Sequence, residues 1–412
     1  MKRALAIVDG EHYVSTVRAA LEELPYEFVA AHLVGGTEKL RGGEDYGLPL
    51  VESLEEGIAE HEPELVVDLS DEPILAPPDR LRLASRALAA GVAYVGADCR
   101  FEPPRLEPFD LPSIGIVGTG KRVGKTAVAG HIGRLLAGRW DVVIVAMGRG
   151  GPEAPEVAET PPTLEDLLEL SRAGRHAASD YLEDAALAKV PTIGCRRAGG
   201  GLAGAPFASN VDAGAALAAE RSPDLVIFEG SGAAFPPIET RKRVLVVGGA
   251  QTPEIVAGYL NAYRILVSDL VVLVGGSDQH VDAIRAVKDV PVVRAKLKPR
   301  AVEEVTGRAA VFTTASAGAA EEIGVALRAD GVDVTHVSTN LARRDELRRE
   351  LESLDAETYL VELKAAAIDV VAEAAAERGV RVVLLANDVD APGLDEQVLE
   401  LAEAAVGWEV RV

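Results

Sequence analysis

The chain has few cysteines and few aromatic residues. It also lacks an excess of basic residues and has no long apolar run. Cys99 and Cys195 are the only cysteines among 412 residues, which excludes a disulfide framework and favours a reducing compartment, the cytoplasm. Lys and Arg number 42 against 65 Asp and Glu, and the net charge of −23 disfavours general binding to nucleic acid or acidic membranes. The most apolar window, Ile265–Val274, is interrupted by Ser268 and Asp269 and is shorter than the ~18 residues of a membrane-spanning helix. We therefore expect a protein without a membrane anchor.

Short Val, Ile and Leu runs alternate along the whole chain with helical stretches rich in Ala, Leu, Glu and Arg. This alternation is typical of the α/β class, in which helices cover a parallel sheet. A Pro-rich segment at 101–112 cannot continue a helix or a central strand and marks a boundary. We predict a doubly wound α/β domain at 1–110, a larger parallel sheet with the catalytic site at 111–300, and a smaller α/β unit at 301–412. The third unit could instead extend the second sheet.

The predicted strands follow the short apolar runs, and the clearest helices follow stretches with a helical period. In the first unit the predicted strands are Leu5–Val8, Phe28–Leu33, Leu65–Leu69 and Ala93–Val95, with helices at Ser15–Glu23 and Asp79–Ala90. In the second unit they are Ile114–Val117, Val142–Ala146, Pro191–Gly194, Leu225–Phe228, Val244–Val247, Leu270–Val274 and Pro291–Arg294. In the third they are Ala310–Thr313, Val332–Val337 and Arg381–Leu385, with a helix at Glu357–Glu377.

One segment has the layout of a phosphate-binding loop, or P-loop: residues 114–131 read IGIVGTGKRVGKTAVAGH, a buried strand, a Gly-rich turn and a helix. Small residues let backbone N–H groups surround a phosphate at a helix N-terminus, Lys125 can reach the β- and γ-phosphates, and the Thr126 hydroxyl can bind Mg²⁺. Thr119 stands where the common pattern has Gly, so the loop is a variant, similar to that of the dethiobiotin synthetase branch of P-loop proteins. The nucleotide-binding residues are predicted to be Gly118, Thr119, Gly120, Arg122, Val123, Gly124, Lys125, Thr126 and Ala127.

Further candidates follow later strands of the central unit. The run Asp224–Gly232 is an apolar strand that ends at Glu229, and the resemblance to the dethiobiotin synthetase branch implies that this carboxylate organises Mg²⁺ beside the P-loop. Two Gly-rich segments carry arginines after the ends of strands: Arg149 in the first, and Arg196 and Arg197 in the second. Because open α/β sheets bind ligands at this edge, we expect a pocket for a second anion there.

Other charged clusters have weaker patterns. For the run 176–185, HAASDYLEDA, we favour a solvated helix face over a role in positioning substrate, magnesium or a proton. Surface solvation is also the expectation for the basic spots Lys296–Arg300 and Asn340–Arg344. The acids of Asp9–His12 and Asp68–Glu72 lie at strand ends, where lining a cleft and capping the backbone are equally good interpretations.

Taken together, the motifs resemble the cyclic 2,3-diphosphoglycerate synthetase family. The resemblance is carried by the P-loop segment GTGKRVGKTAVAGH, by MGRGGPE at 147–153 and HAASDYLEDA at 176–185, and by GCRRAGGGLAG at 194–204 and VIFEGSGAAFPPI at 226–238. It extends less specifically to VDGEHY near the N-terminus and to YLVELKAAAIDVV at 359–371. It implies a cytoplasmic, homodimeric ligase that uses ATP and Mg²⁺ to close 2,3-bisphosphoglycerate into its cyclic anhydride, releasing ADP and phosphate.

The chemistry of that reaction matches the predicted residues. Lys125, Lys121 and Arg149 are the expected catalytic residues, Thr126 and Glu229 the metal ligands, and Arg149, Arg196 and Arg197 the groups that bind the polyanionic substrate. Two alternatives remain open: a small-molecule kinase acting on 2-phosphoglycerate, and a regulatory P-loop ATPase or GTPase switch. The switch is disfavoured because the sequence has neither a Cys/His metal motif nor an Asn-Lys-x-Asp guanine signature.

Overall fold

The structure, a computed structural model, describes residues 1–42, 44–177, 179–363 and 367–407. Its first 101 residues build one parallel sheet covered by three helices. The strands are β1 (Lys2–Val8), β2 (Tyr26–Leu33), β3 (Leu50–Val51), β4 (Leu65–Asp68), β5 (Ala93–Val95) and β6 (Arg100–Phe101), and the helices are α1 (Val14–Glu23), α2 (Leu54–His61) and α3 (Pro77–Ala89). The strand order is β3-β2-β1-β4-β5-β6, with only the short β6 antiparallel. The chain therefore winds outward in both directions from β1.

The rest of the described chain forms a second, much larger sheet. Its strands are β7 (Ser113–Gly118), β8 (Val142–Gly148), β9 (Glu156–Ala158), β10 (Thr192–Ala198), β11 (Ala208–Ser209), β12 (Leu225–Glu229), β13 (Lys242–Gly248), β14 (Leu270–Val274), β15 (Val292–Ala301), β16 (Ala309–Phe312), β17 (Val334–Ser338), β18 (Thr358–Glu362) and β19 (Arg381–Asp390). Their order is β11-β10-β8-β12-β7-β13-β14-β15-β19-β18-β16-β17, and β9 pairs with β10.

Helices cover both faces of this sheet. They are α4 (Lys125–Ala137), α5 (Leu164–Arg172), α6 (Asp180–Ala188), α7 (Val211–Glu220), α8 (Pro253–Val256), α9 (Asn261–Leu266), α10 (Asp278–Val287), α11 (Ala317–Ala329), α12 (Arg344–Ser353), α13 (Glu373–Arg378) and α14 (Leu394–Val406), with a 3₁₀ turn at Asn340–Ala342 and a π-helix at Ala367–Ala372. Every residue of β7, β8 and β12 is buried, as expected for parallel strands with helices on both faces. The α/β class predicted from the sequence is confirmed. Among the described residues, no helix has the length and apolar character needed to cross a bilayer.

One long strand joins the central unit to the C-terminal one. The first half of β15 runs parallel to β14, where Val271 lies opposite Val292, and its second half runs antiparallel to β19, where Pro299 lies opposite Asn387. The C-terminal strands therefore extend the central sheet, which is one of the two arrangements that the sequence left open. The division of the chain at 1–110, 111–300 and 301–412 stays a prediction.

The predicted helix at Glu357–Glu377 is wrong in its first part. Thr358–Glu362 is instead a strand between β16 and β19, and its first four residues are fully buried. A short apolar run of this kind fits a buried strand and a buried helix equally well, and sheet packing decides between them. The chain is helical at Ala367–Ala372 and Glu373–Arg378, and 364–366 lie outside the described residues. Each of the predicted strands overlaps an observed one, although β10, β15 and β19 run four to seven residues further than predicted.

Candidate active site

The P-loop begins where β7 ends, at Gly118, and ends where α4 begins, at Lys125. Gly124 caps the helix with φ of 89°, a left-handed conformation that suits glycine. At Gly118 a Cβ atom would lie 2.9 Å from the carbonyl oxygen of Gly232, so two Gly-rich loops come into close contact there. Thr119 is fastened to the scaffold, because its N–H donates to the carbonyl of Val246 (3.1 Å) and its hydroxyl donates to the side chain of Gln251.

Lys125 lies among acids at the first turn of α4. Its ammonium group donates to the Glu229 carboxylate in an ion pair whose side chains are 10% and 1% exposed. Burial opposes the charge on Lys125, but Glu229, Asp184 and Asp180 more than compensate and hold its pKa above the ordinary value. The lysine therefore stays protonated, as a phosphate-binding group must.

Asp184 is the feature of this site that the sequence did not reveal. The side chain is fully buried, and within the described chain neither carboxylate oxygen has a hydrogen-bond donor. Burial, followed by the nearby Glu229 carboxylate, raises the pKa of Asp184 well above its ordinary value. Lys125 supplies one positive charge to this pair of carboxylates, and a second cation or a shared proton would balance the other negative charge.

The expectation that 176–185 forms a solvated face is therefore wrong for Asp184. Helix α6 packs against α4, β8 and β10, so the side of the helix that carries Asp184 faces inward. Asp180, one helical turn earlier, is half-buried and lines the main cavity. Buried neighbours such as Leu182 and Ala185 were the available signal, since they show that much of this helix is core. Ala178, within the same run, lies outside the described residues.

The donor set at this point fits Mg²⁺, which prefers oxygen ligands and keeps several waters. Thr126 follows Lys125 on the first turn of α4, and the orphaned oxygens of Asp184 lie beside Glu229. Among the described residues, no group of three His, Cys, Asp or Glu side chains is arranged to hold a metal by itself. A cation here would thus depend on the Thr126 hydroxyl and the phosphates of a bound nucleotide as well as on the two carboxylates.

The three predicted substrate arginines do not lie together. Arg197 donates to the carbonyl of Ser231 (3.0 Å) and to that of Gly199, and its Nε is buried without a partner among the described residues. Burial, together with the nearby charge of Arg149, lowers the pKa of Arg197. These two arginines therefore stand close together beside the P-loop.

Arg196 points elsewhere because successive side chains of a strand alternate between faces. It lines a separate cavity of about 330 Å³ together with Arg175, His176 and the Ser179 hydroxyl, which is buried without a partner among the described residues. The loop that contains Gly150 lines this cavity as well as the larger one. Arg196 thus belongs to a side chamber next to the main site.

A larger cavity of about 1560 Å³ contains the P-loop. Lys121, which is exposed, Arg122 and the residues from Val123 to Ala127 line it on one side, and Arg149, Asp180, Ser231 and Gly232 line it on another. Further parts of its wall come from α5, α6, β15, β19 and α11 and from the segments around Arg344 and Asp369. Seven of the nine predicted nucleotide-binding residues, Gly120 and 122–127, therefore line this cavity, whereas Gly118 and Thr119 are not part of its lining.

Arg264 is a second residue that sequence motifs missed. It is 2% exposed, and its guanidinium donates to the carbonyl of Ala233 through Nε (3.0 Å) and Nη2 (2.6 Å) and to the carbonyl of Leu202 (3.2 Å). The group also stacks on the Phe235 ring, and burial lowers its pKa to about 10. It ties the loop after Glu229 to the Gly-rich loop after β10. No local pattern marks it, since it lies on a short, ordinary helix.

Three family models match the chain in succession. They are described as the N-terminal, P-loop and C-terminal domains of cyclic 2,3-diphosphoglycerate synthetase and match residues 3–102, 113–306 and 301–388. The chain belongs to the cyclic 2,3-diphosphoglycerate synthetase family. It is accordingly an enzyme, a small-molecule synthetase with a nucleotide-binding P-loop domain.

Relatives of the same name match over nearly their whole length. The synthetase of Rubrobacter xylanophilus is 46% identical, with 98% of each chain covered, and that of Pyrococcus horikoshii is 42% identical, with 98% of this chain and 97% of the relative covered. Among solved structures, LpxK from Aquifex aeolicus is 15% identical with a TM-score of 0.45, covering 73% of this chain and 91% of the other. The resemblance predicted from the motifs is thus confirmed across all three parts of the family.

Proposed function

We propose that this chain is an ATP-dependent ligase that closes 2,3-bisphosphoglycerate into cyclic 2,3-diphosphoglycerate, with release of ADP and phosphate. The observation that carries the proposal is that Lys125 and Arg149 line one cavity, with the buried carboxylates of Glu229 and Asp184 directly behind Lys125 and with Arg197 close to Arg149. Full-length relatives bear the name of that reaction. A cytoplasmic, homodimeric enzyme is part of the same proposal.

Ring closure joins two phosphate groups of one small polyanion, so one of them must first acquire a leaving group. A phosphate oxygen of the substrate attacks the γ-phosphorus of ATP, the bond to the β,γ-bridging oxygen breaks, and ADP leaves. An oxygen of the second substrate phosphate then attacks the phosphorus of the first, which expels the transferred group as inorganic phosphate. The substrate is itself the nucleophile in both steps, so positioning and charge stabilisation are the tasks of the protein.

The residues of the cavity divide these tasks. Lys125, with Lys121 and the N–H groups at the start of α4, stabilises the charge that develops on the transferred phosphoryl group. Arg149 and Arg197 bind the acceptor phosphates, and Arg196 binds from the side chamber. Thr126, Glu229 and Asp184 would hold Mg²⁺, which when bound neutralises oxygens of the β- and γ-phosphates.

The test is ³¹P NMR of the purified chain with Mg-ATP and 2,3-bisphosphoglycerate, with Lys125→Ala protein as the control. We expect upfield pyrophosphate-type resonances that grow together with equimolar ADP and phosphate, and no change in the control sample. A chain that converts 2-phosphoglycerate to 2,3-bisphosphoglycerate without forming such resonances is a kinase. ATP hydrolysis that is indifferent to either glycerate would favour the switch instead.

A further inference from the structure

The cavity around the P-loop has two ends of opposite character. At one end, Arg149 forms no ion pair with the described residues, and Arg197 lies beside it. The other end is walled by the C-terminal part of the chain, where the basic side chains already have acidic partners. Lys298 pairs with Asp390 (2.8 Å), and Arg300 pairs with Asp388 (2.9 Å).

Apolar side chains form much of this C-terminal wall, next to polar residues such as Thr314, Ser316 and Asn387. Alternate residues of β19, Val382, Leu384 and Ala386, line the cavity along one strand. Helix α11 contributes Ala319, Ile323 and Ala326 to the same lining, and their spacing of four and three residues puts them on one helix face. Glu322 and Glu362 also line this end, and the Glu362 carboxylate already accepts hydrogen bonds from the hydroxyl of Thr313 (2.8 Å) and the N–H of Thr314 (3.0 Å). A polyanion would be repelled there, whereas an uncharged aromatic ring with hydroxyl groups attached would fit.

The C-terminal end of the cavity lies close to the P-loop, where the phosphates of a nucleotide would bind. A Cβ atom on Gly124 would lie 3.3 Å from Leu297 Cδ1, so β15 contacts the loop directly at the start of α4. Two residues further along, Pro299 pairs with Asn387 of β19, and both line the cavity. A nucleotide whose phosphates occupy the loop thus has the C-terminal wall immediately beside it on the β15 side.

We infer that the C-terminal part of the chain forms the adenosine subsite, with the base between β19 and α11 and the ribose hydroxyls toward Glu322 and Glu362. The inference rests on the proposed function, since it takes ATP as the nucleotide. It assigns the Arg149 end of the cavity to the acceptor polyanion alone. The C-terminal extension of the sheet then has a binding role: it supplies the half of the nucleotide site that the P-loop lacks.

The experiment places a bulky side chain in the proposed subsite without disturbing the core. Ala319 and Ala317 are both exposed residues of the first turn of α11, but only Ala319 lines the cavity. Ala319→Trp is the test variant and Ala317→Trp the matched control. Equilibrium dissociation constants are measured by calorimetry for ADP, for tripolyphosphate and for 2,3-bisphosphoglycerate, with melting temperatures to verify folding.

For Ala319→Trp we expect ADP to bind at least 10-fold more weakly while tripolyphosphate and 2,3-bisphosphoglycerate change less than 2-fold; Ala317→Trp should match the parent chain. Ile323→Ala, which removes apolar surface instead of adding bulk, should weaken ADP several-fold in the same selective way. Unchanged ADP affinity in Ala319→Trp would overturn the inference, as would an equal loss of ADP and tripolyphosphate. Selective loss of affinity for 2,3-bisphosphoglycerate would assign the wall to the acceptor and would also overturn the inference.

These are binding measurements, so a parent chain that binds ADP selectively through this wall but forms no cyclic product would refute only the proposed function.

Discussion

Asp9 in the N-terminal sheet and Asp184 in the central one are both fully buried carboxylates beside parallel strands. The oxygens of Asp9 accept hydrogen bonds from the backbone N–H groups of Glu11, His12 and Asp71 and from the His12 ring. The oxygens of Asp184 accept none within the described chain. Both side chains are shielded from solvent, yet Asp9 has several hydrogen-bond donors and Asp184 has none among the described residues.

The pKa values of the two groups move in opposite directions. Burial alone would raise the pKa of Asp9, but the hydrogen bonds from His12 and the backbone outweigh it, and the pKa falls below the ordinary value. The pKa of Asp184 rises because burial and the adjacent Glu229 act together. The hydrogen bonds of Asp9 hold its own loop and so favour the capping interpretation, whereas Asp184 has no such structural partners.

The largest expected effect is that of Lys125→Ala. Loss of the cation that faces the transferred phosphoryl group should lower kcat by about 10³-fold. The fold should survive, because the freed carboxylates can take up a proton, and circular dichroism with thermal melting checks this. The exposed Lys121→Ala serves as a graded comparison and should cost less. Normal turnover in Lys125→Ala would remove the P-loop from the reaction.

Glu229→Gln and Asp184→Asn test whether these two buried carboxylates serve a cation. Each should raise the Mg²⁺ concentration needed for half-maximal turnover by about 10-fold or more, because a neutral amide is a weaker ligand than a carboxylate. Asp9→Asn is the matched control and should leave the magnesium titration unchanged. If Asp184→Asn titrates like the parent chain, then Asp184 is no ligand and the contrast with Asp9 has another cause.

Arg264→Lys tests the tie between the two Gly-rich loops. A lysine cannot reproduce the bonds to both Ala233 and Leu202, so kcat/KM for the acceptor should fall about 10-fold as Glu229 and its loop lose their fixed position. Arg243→Lys is the control, since Arg243 stacks on the same Phe235 ring but donates to Val267, away from the site. Equal losses in the two variants would indicate a general packing effect instead.

The smallest effects concern stability against pH. Folding lowers the pKa of Asp9, so the ionised side chain stabilises the folded state at pH values above the pKa of Asp9 in the unfolded chain. This contribution is lost as the pH falls through the pKa of Asp9 in the folded chain. Asp9→Asn should thus lower the free energy of unfolding by about 1–3 kcal/mol at pH 7 and by little in acid.

Asp184 has a raised pKa and opposes folding increasingly as pH rises above about 3.8, so Asp184→Asn should stabilise the ligand-free chain most at high pH. Urea unfolding at several pH values measures both, and parallel curves for the two variants would contradict the comparison.

Local structure could be predicted from the sequence wherever neighbouring residues alone determine it. A strand, a Gly-rich turn and a helix in immediate succession specify the P-loop from Gly118 to Thr126, and an apolar run that stops at Glu229 specifies a strand end. The resemblance to the dethiobiotin synthetase branch placed Glu229 beside the P-loop, but the ion pair between Glu229 and Lys125 appeared only in the structure. The family motifs and the α/β class followed from the same local patterns.

Tertiary structure decided what depends on which surface packs against which. The sequence pattern predicts a solvated Asp184, but the packing of α6 against α4 buries this side chain. Arg196 and Arg197 lie apart because successive side chains of a strand point to opposite faces of the sheet. Thr358–Glu362 becomes a strand because β16 and β19 flank it. The periodicity of a sequence indicates which residues face the interior, but it does not indicate which residues they contact there. Contacts between segments that are distant in the sequence form only on folding, so no local pattern predicts them.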